Sequence, residues 1–139
     1  MNIKRIAIIG TGSMGSAILS GLLKSGFDPD HVSVSTKSTA SAERLADELG
    51  VLSFAMENGE DANQMAVAGA DVVVIAVKPA YVIETLSDIA DSLDDDALVI
   101  SVAAGITTKA MEETLPDDVS VVRAMPNTCL LYTSDAADE

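Results

Sequence analysis

The sequence predicts a doubly wound α/β fold, a parallel sheet with helices on both faces, and three observations carry that reading. The glycine-spaced run Gly10-Thr11-Gly12-Ser13-Met14-Gly15 follows the apolar stretch Ile6-Ala7-Ile8-Ile9 and opens an apolar-rich segment from Met14 to Leu23. Short β-branched runs then alternate with helical patterns along the chain. Finally, Val72-Val73-Val74-Ile75-Ala76-Val77 and Ala97-Leu98-Val99-Ile100 are continuously apolar, as strands buried on both faces of a parallel sheet are.

The elements follow in order. Residues 5–9 predict the first strand and residues 14–25 the helix after it, with Gly26 as its left-handed terminator. Residues 32–36 predict a second strand and residues 40–49 a helix closed by Gly50; residues 52–54 give a weaker strand. Residues 63–68 predict a helix closed by Gly69, and residues 72–77 a strand. Pro79 opens a helix over 80–93, since proline suits a first helical turn. Strands at 98–102 and 119–124 flank a last helix at 107–115. Right-handed βαβ crossovers through helices of this length wind the sheet, and ligands then bind outside the carboxyl ends of its strands.

Strand, then G-x-G-x-x-G, then helix is the context in which this spacing reads as dinucleotide binding of the Rossmann type, with a plain glycine turn as the alternative. Gly10 permits the tight turn off the strand. Gly12, lacking a Cβ, lets a pyrophosphate approach the backbone, and Gly15 lets the helix pack close to the sheet. The positive end of the helix faces the phosphates. About 20 residues beyond the glycines, NAD-preferring proteins carry an acid for the ribose 2′-OH. Here that place holds Ser35-Thr36-Lys37-Ser38, with no carboxylate, and two hydroxyls with a lysine favour the 2′-phosphate of NADP(H) over NAD(H). A plain polar loop, with Thr39 or a neighbouring serine as helix cap, is the alternative.

Other strand ends hold Lys78-Pro79 and the small residues Ala103-Ala104-Gly105, which allow a flat ligand to pass close to the backbone or simply make a tight turn. Lys78 is read as a solvated charge or phosphate partner before a catalytic acid. Asn127, in Arg123-Ala124-Met125-Pro126-Asn127-Thr128, is placed to cap a turn or to bond a ligand amide. His31 is expected to face solvent and Asp94-Asp95-Asp96 to form a solvated loop; no metal-ligand spacing, Ser-His-Asp set or paired catalytic carboxylates emerge.

Composition bounds the rest. The 139 residues suit one domain, and with two Tyr, two Phe and no Trp the core is aliphatic. The net charge of −14 argues against nucleic acid or an anionic membrane as partner, and fits an ordinary acidic soluble protein or a salt-adapted host. One cysteine allows no internal disulfide, and with neither signal peptide nor membrane-length apolar run a cytoplasmic location is expected.

Four segments together resemble pyrroline-5-carboxylate reductases: Gly10-Thr11-Gly12-Ser13-Met14-Gly15-Ser16-Ala17-Ile18, Ala76-Val77-Lys78-Pro79, Ser101-Val102-Ala103-Ala104-Gly105-Ile106, and Arg123-Ala124-Met125-Pro126-Asn127-Thr128. The glycine motif is shared with 3-hydroxyisobutyrate and 6-phosphogluconate dehydrogenases, while A-V-K-P and M-P-N-T are more specific. The resemblance runs from Asn2 to Thr128. It implies NAD(P)H-dependent reduction of 1-pyrroline-5-carboxylate, a small imine, to proline, the last step of proline biosynthesis. It places the glycine loop on the pyrophosphate, Ser35 near the ribose phosphate, where the loop reading also puts Thr36 and Lys37, and Asn63 near that ribose. Val77, Lys78 and Ala104 fall on the nicotinamide side, with Ala76, Pro79 and Ala103 beside them as cofactor-binding residues; Asn127 falls at the substrate edge, and no residue here is catalytic.

The resemblance also implies a second, helical domain that supplies most of the substrate pocket and forms a homo-oligomer. After Thr128 the chain departs from the family's M-P-N-T-P and reads Cys129-Leu130-Leu131-Tyr132-Thr133-Ser134-Asp135-Ala136-Ala137-Asp138-Glu139. All of it resembles the translation of a transposase-type sequencing adapter. The expectation is a dinucleotide-binding domain over 1–128, an artefactual tail over 129–139, an apolar face exposed where the further domain would sit, and negligible turnover by this chain. The alternatives are another dehydrogenase of the 3-hydroxyacid group and a non-enzymatic NADP-binding module.

Overall fold

Parallel pairing joins six strands into one sheet, because each apolar run is long enough for a strand and is separated from the next by a helix. The computed structural model describes residues 3–10, 12–59, 61–103 and 105–124. The strands are β1 (Ile6–Ile9), β2 (Val32–Thr36), β3 (Leu52–Ala55), β4 (Val72–Ile75), β5 (Leu98–Ser101) and β6 (Ser120–Arg123). Their order across the sheet is β3-β2-β1-β4-β5-β6, with every pair parallel. The helices are α1 (Ser13–Lys24), α2 (Thr39–Leu49), α3 (Ala62–Val67), α4 (Val82–Ile89) and α5 (Thr108–Thr114). This is the predicted doubly wound Rossmann-type sheet, and its direction of winding reverses between β1 and β4.

The reversal divides the helices between the faces. Ile6, Ile8, Val32, Val34, Val72 and Val74 pack with Leu19 of α1 and Leu45 of α2. Ala7, Ile9, Val73, Ile75 and Val99 turn the other way and pack with Ala66 of α3, Leu86 of α4 and Met111 of α5. Alternate residues of one strand thus feed two cores, which is why β1 and β4 read as unbroken apolar runs. Right-handed crossovers on each side of the reversal produce this partition.

The coverage is unequal. Burial of β5 on both faces was expected, yet Leu98 and Ile100 are only half-buried. They lie on the face that α1 and α2 cover, and those two helices serve the β1–β2–β3 side. Val122, in register with Ile100 on β6, is 46% exposed. Leu98, Ile100 and Val122 thus leave this face of β5 and β6 only partly covered.

Two elements differ from expectation by more than one residue at an end. The β4 ladder ends at Ile75, two residues early; Ala76 still donates its N–H to the Ile9 carbonyl at 2.9 Å before the chain turns away. Lys78 is then held extended (φ −61, ψ 148), as a residue before proline prefers. The helix expected over 80–93 is divided into a 3-10 turn at Pro79–Tyr81, α4 proper, and a second 3-10 turn at Ala90–Ser92. Its buried stripe is Val82, Leu86 and Ile89; past Ile89 the chain tightens and passes into Asp94, Asp95 and Asp96, all exposed as expected. His31 is exposed as well. Gly26, Gly50 and Gly69 all take positive φ after their helices.

Candidate dinucleotide site

Register brings the strand ends to one edge. Ile9, the last residue of β1, pairs with Ser35 on one side and Ile75 on the other, and Ile75 pairs with Ser101. The segments after β1, β2, β4 and β5 therefore leave the sheet side by side. The glycine loop leaves at the point where the sheet reverses, where ligands of such sheets bind.

Each described glycine of the motif has a distinct environment. Gly10 has φ +86, and a Cβ on it would come within 2.9 Å of Val77 Cγ1 and 3.2 Å of the Ala76 carbonyl oxygen. A Cβ on Gly15 would collide with the backbone oxygen of Gly10 and lie 3.0 Å from its carbonyl carbon. These two glycines are thus demanded by the chain's own packing, between the loop, α1 and the segment after β4. Gly12 is the opposite case, since a Cβ there would meet nothing within 4 Å. It is exposed and forms the N-cap of α1 without any side chain to satisfy the helix's first N–H groups. Open backbone at the positive end of a helix fits a pyrophosphate. Ser13 begins α1 and Met14 is half-buried behind it.

The β2 end differs from expectation. Ser35 and Thr36 are 2% and 4% exposed, so neither presents its hydroxyl to solvent. Ser35 Oγ accepts from Gly10 N–H at 3.3 Å and ties the glycine loop to β2. Thr36 Oγ1 donates to the Ser38 carbonyl at 2.8 Å. The pleat turns both side chains into the two cores, which the count of hydroxyls in the sequence could not reveal. Lys37 is exposed and makes no ion pair among the described residues. Ser38 is the cap of α2, its Oγ accepting from Ser41 N–H at 3.2 Å.

Sequence reasoning overlooked Glu57. Its Oε1 accepts from Thr39 N–H, the first N–H of α2, at 2.6 Å, and its own N–H donates to the Lys37 carbonyl at 3.1 Å. Thr39 Oγ1 also bonds Asn58 Oδ1 at 3.1 Å. A carboxylate therefore stands at a loop that reads as carboxylate-free along the chain. The available signal was the strand order: β3 lies beside β2, so their following segments are neighbours in space.

The remaining predicted residues occupy the same end of the sheet. Asn63 is buried in the first turn of α3 and makes no side-chain hydrogen bond among the described residues. Ala76 and Val77 abut Gly10 as above, and Val77 is half-buried against the α3–α5 core. Lys78 and Pro79 are exposed in the turn that leads to α4. Ala103 is half-buried and donates its N–H to Ser101 Oγ at 3.3 Å. Thr11, Ala104 and Asn127 lie outside the described residues.

A groove of about 350 Å³ opens beyond Thr39, between α2, β3 and α3, and is lined by Ala42, Ser53, Asn58, Ala62 and Met65 among others. None of the predicted site residues lines it. A pyrophosphate bound to open backbone needs no enclosed cavity, so the glycine loop remains the better candidate. At the opposite edge of the sheet, N–H groups of Arg5 and Lys4 bond the Asp71 carboxylate at 3.0 and 2.7 Å and hold its pKa below the usual value. Among the described residues no cluster suited to a metal ion occurs.

The family model described as NADP oxidoreductase coenzyme F420-dependent matches residues 5–105. The chain belongs to that family. Its span includes every residue predicted for the cofactor from Gly10 to Ala104, while Asn127 lies beyond it. A pyrroline-5-carboxylate reductase of Corynebacterium melassecola is 39% identical over 129 residues, covering 91% of this chain and 46% of the relative. The structure of a pyrroline-5-carboxylate reductase from Coxiella burnetii matches with a TM-score of 0.81 and 36% identity, over 92% of this chain and 46% of that one. The Plasmodium falciparum pyrroline carboxylate reductase, solved with NADP bound, shares the fold at a TM-score of 0.73 and 24% identity, over 92% of this chain and 44% of that one. This chain thus spans about half the length of the relatives it matches. No helix among the described residues is long and apolar enough to cross a membrane.

Proposed function

We propose that this chain is the cofactor-binding half of a pyrroline-5-carboxylate reductase that uses NADP(H) in proline biosynthesis. The observation that carries the reading is the glycine loop at the sheet reversal, with Gly12 open, Gly10 closed by Ala76 and Val77, and Gly15 closed by the Gly10 backbone. The similarity to reductases supports the substrate, the small cyclic imine 1-pyrroline-5-carboxylate. A bound nicotinamide would supply the hydride that reduces the C=N bond. The chain's residues have the tasks of binding and orientation. Gly12 and the first N–H groups of α1 take the pyrophosphate. Lys37, rather than the buried hydroxyls of Ser35 and Thr36, takes the 2′-phosphate. Asn63 stands by the ribose, and Ala76 to Pro79 with Ala103 and Ala104 form the nicotinamide wall.

Orientation of the imine would come from residues beyond Thr128, including a helical, oligomer-forming domain like that of the resembled family. Residues 129–139 are read as foreign sequence, and the protein as cytoplasmic. Two experiments test this. Titration of the 139-residue chain with NADPH, followed by nicotinamide fluorescence, should show saturable binding, with negligible turnover of 1-pyrroline-5-carboxylate. Absence of any dinucleotide binding refutes the cofactor assignment. Sequencing the source DNA past codon 128 should continue from Thr128 into proline and further helical sequence; an immediate Cys129–Glu139 tail and stop codon refutes the domain assignment.

A further inference from the structure

We propose that Glu57 is a built-in competitor for the adenosine 2′-phosphate, and thereby sets how strongly the site prefers NADP(H) to NAD(H). The inference rests on the dinucleotide reading above. The position of the ligand comes from the glycine motif and the sheet order, which put the adenosine end of a dinucleotide over the segment following β2. At that segment the donors available to a phosphate are the Lys37 ammonium and the first N–H groups of α2. Two of those N–H groups are already engaged by the chain itself: Ser41 N–H by Ser38 Oγ, and Thr39 N–H by Glu57 Oε1 at 2.6 Å.

The second of these is a charged acceptor at short range, and it is held in place. Glu57 N–H bonds the Lys37 carbonyl at 3.1 Å, and the neighbouring Asn58 Oδ1 meets Thr39 Oγ1 at 3.1 Å. The turn after β3 is therefore laced to the very loop that would receive the phosphate. A carboxylate bound to an N–H group is a partial substitute for a phosphate oxygen bound there. The two anions cannot share the donor, and their charges repel at this separation. A 2′-phosphate must displace Glu57 to reach Thr39 N–H, whereas a ribose 2′-OH brings no charge to be opposed. NAD-type acids that hold the 2′-OH sit at the end of β2; Glu57 follows β3 instead, with Oε1 committed to the helix.

The test uses the whole chain with Glu57→Gln and Glu57→Ala. Glu57 is exposed, so both variants should fold, which far-ultraviolet circular dichroism checks. NADPH and NADH are titrated by nicotinamide fluorescence, and 2′,5′-ADP and 5′-ADP by calorimetry. Removal of the charge should tighten NADPH about 10-fold and leave NADH within about two-fold, and 2′,5′-ADP should follow NADPH. The gain should shrink in 1 M salt, where exposed charges are screened. An unchanged NADPH-to-NADH ratio, with both still bound, overturns this inference alone. Weaker NADH with unchanged NADPH also overturns it, and makes Glu57 a ribose acceptor. If neither dinucleotide binds the wild-type chain, the cofactor reading itself falls and takes the inference with it.

Discussion

Replacing Gly15 and Gly12 separately by alanine should divide folding from binding within one six-residue loop. A Cβ at Gly15 would strike the Gly10 backbone oxygen and lie 3.0 Å from the Gly10 carbonyl carbon, with Ala76 Cβ at 3.5 Å behind it. The obstacles are backbone rather than the flexible end of a side chain, so α1 itself must withdraw from β1. Overpacking of this kind costs about 1–3 kcal/mol, and the rigidity of the neighbour puts Gly15→Ala near the upper end. Gly12→Ala adds its methyl to open space at a residue whose φ of −77 is ordinary. It should cost less than about 1 kcal/mol, the loss being that of a glycine N-cap. Binding should behave the other way. The methyl of Gly12→Ala would stand where the pyrophosphate approaches, and NADPH affinity should fall at least ~10-fold, or about 1.4 kcal/mol. Urea denaturation followed by circular dichroism measures the first quantity and fluorescence titration the second. A Gly15→Ala chain within about 0.5 kcal/mol of wild type would refute the close-approach argument. A Gly12→Ala chain that binds NADPH normally would refute the pyrophosphate assignment.

Three further outcomes follow from single residues. Lys37→Ala should weaken NADPH several-fold, by about 1 kcal/mol, and leave NADH nearly unchanged, because Lys37 is the exposed cation at the β2 end; equal losses for both cofactors would remove it from the phosphate site. Leu86→Ala, at a fully buried position of α4, should cost about 3 kcal/mol in urea denaturation without altering the ratio of cofactor affinities. Asp71 has its pKa lowered in the folded chain by the N–H groups of Arg5 and Lys4. Its contribution is therefore present above the ordinary carboxylate pKa and is lost as pH falls through the lowered folded value. Asp71→Asn should flatten that acid limb of stability against pH, and an unchanged limb would contradict the assignment.

The sheet was legible because its signal is redundant. Apolar runs, glycine terminators and the glycine loop each point to parallel strands joined by helices, whereas the strand order β3-β2-β1-β4-β5-β6 is seen only in the structure. What escaped was set by geometry across the sheet. Ser35 and Thr36 read as solvent-facing hydroxyls in a polar loop, yet both belong to the last turn of the pleat and are directed inward. Half-burial of Leu98 and Ile100 was hidden for a related reason, since hydropathy cannot say how far α1 and α2 extend over the sheet. Glu57 lies about twenty residues from Lys37 in sequence, and only the adjacency of β2 and β3 brings their backbones within one hydrogen bond.

That adjacency changes how cofactor preference should be argued for such sheets. The usual sequence test inspects one strand end for an acid, and here it finds none at residues 35–38. Yet the charge a 2′-phosphate meets is the sum over every segment that leaves the sheet at that edge. Lys37 contributes one positive charge from the β2 side, and Glu57 one negative charge from the β3 side. Since Thr39 N–H cannot serve Glu57 and a phosphate together, the preference depends on how easily the 56–58 turn releases the helix end. That turn is held by two side-chain bonds and one backbone bond, all at the surface, where each is worth only about 1 kcal/mol. A phosphate gripped by Lys37 and the helix N–H groups is a strong enough competitor to open it, so Glu57 should weaken NADPH binding without preventing it.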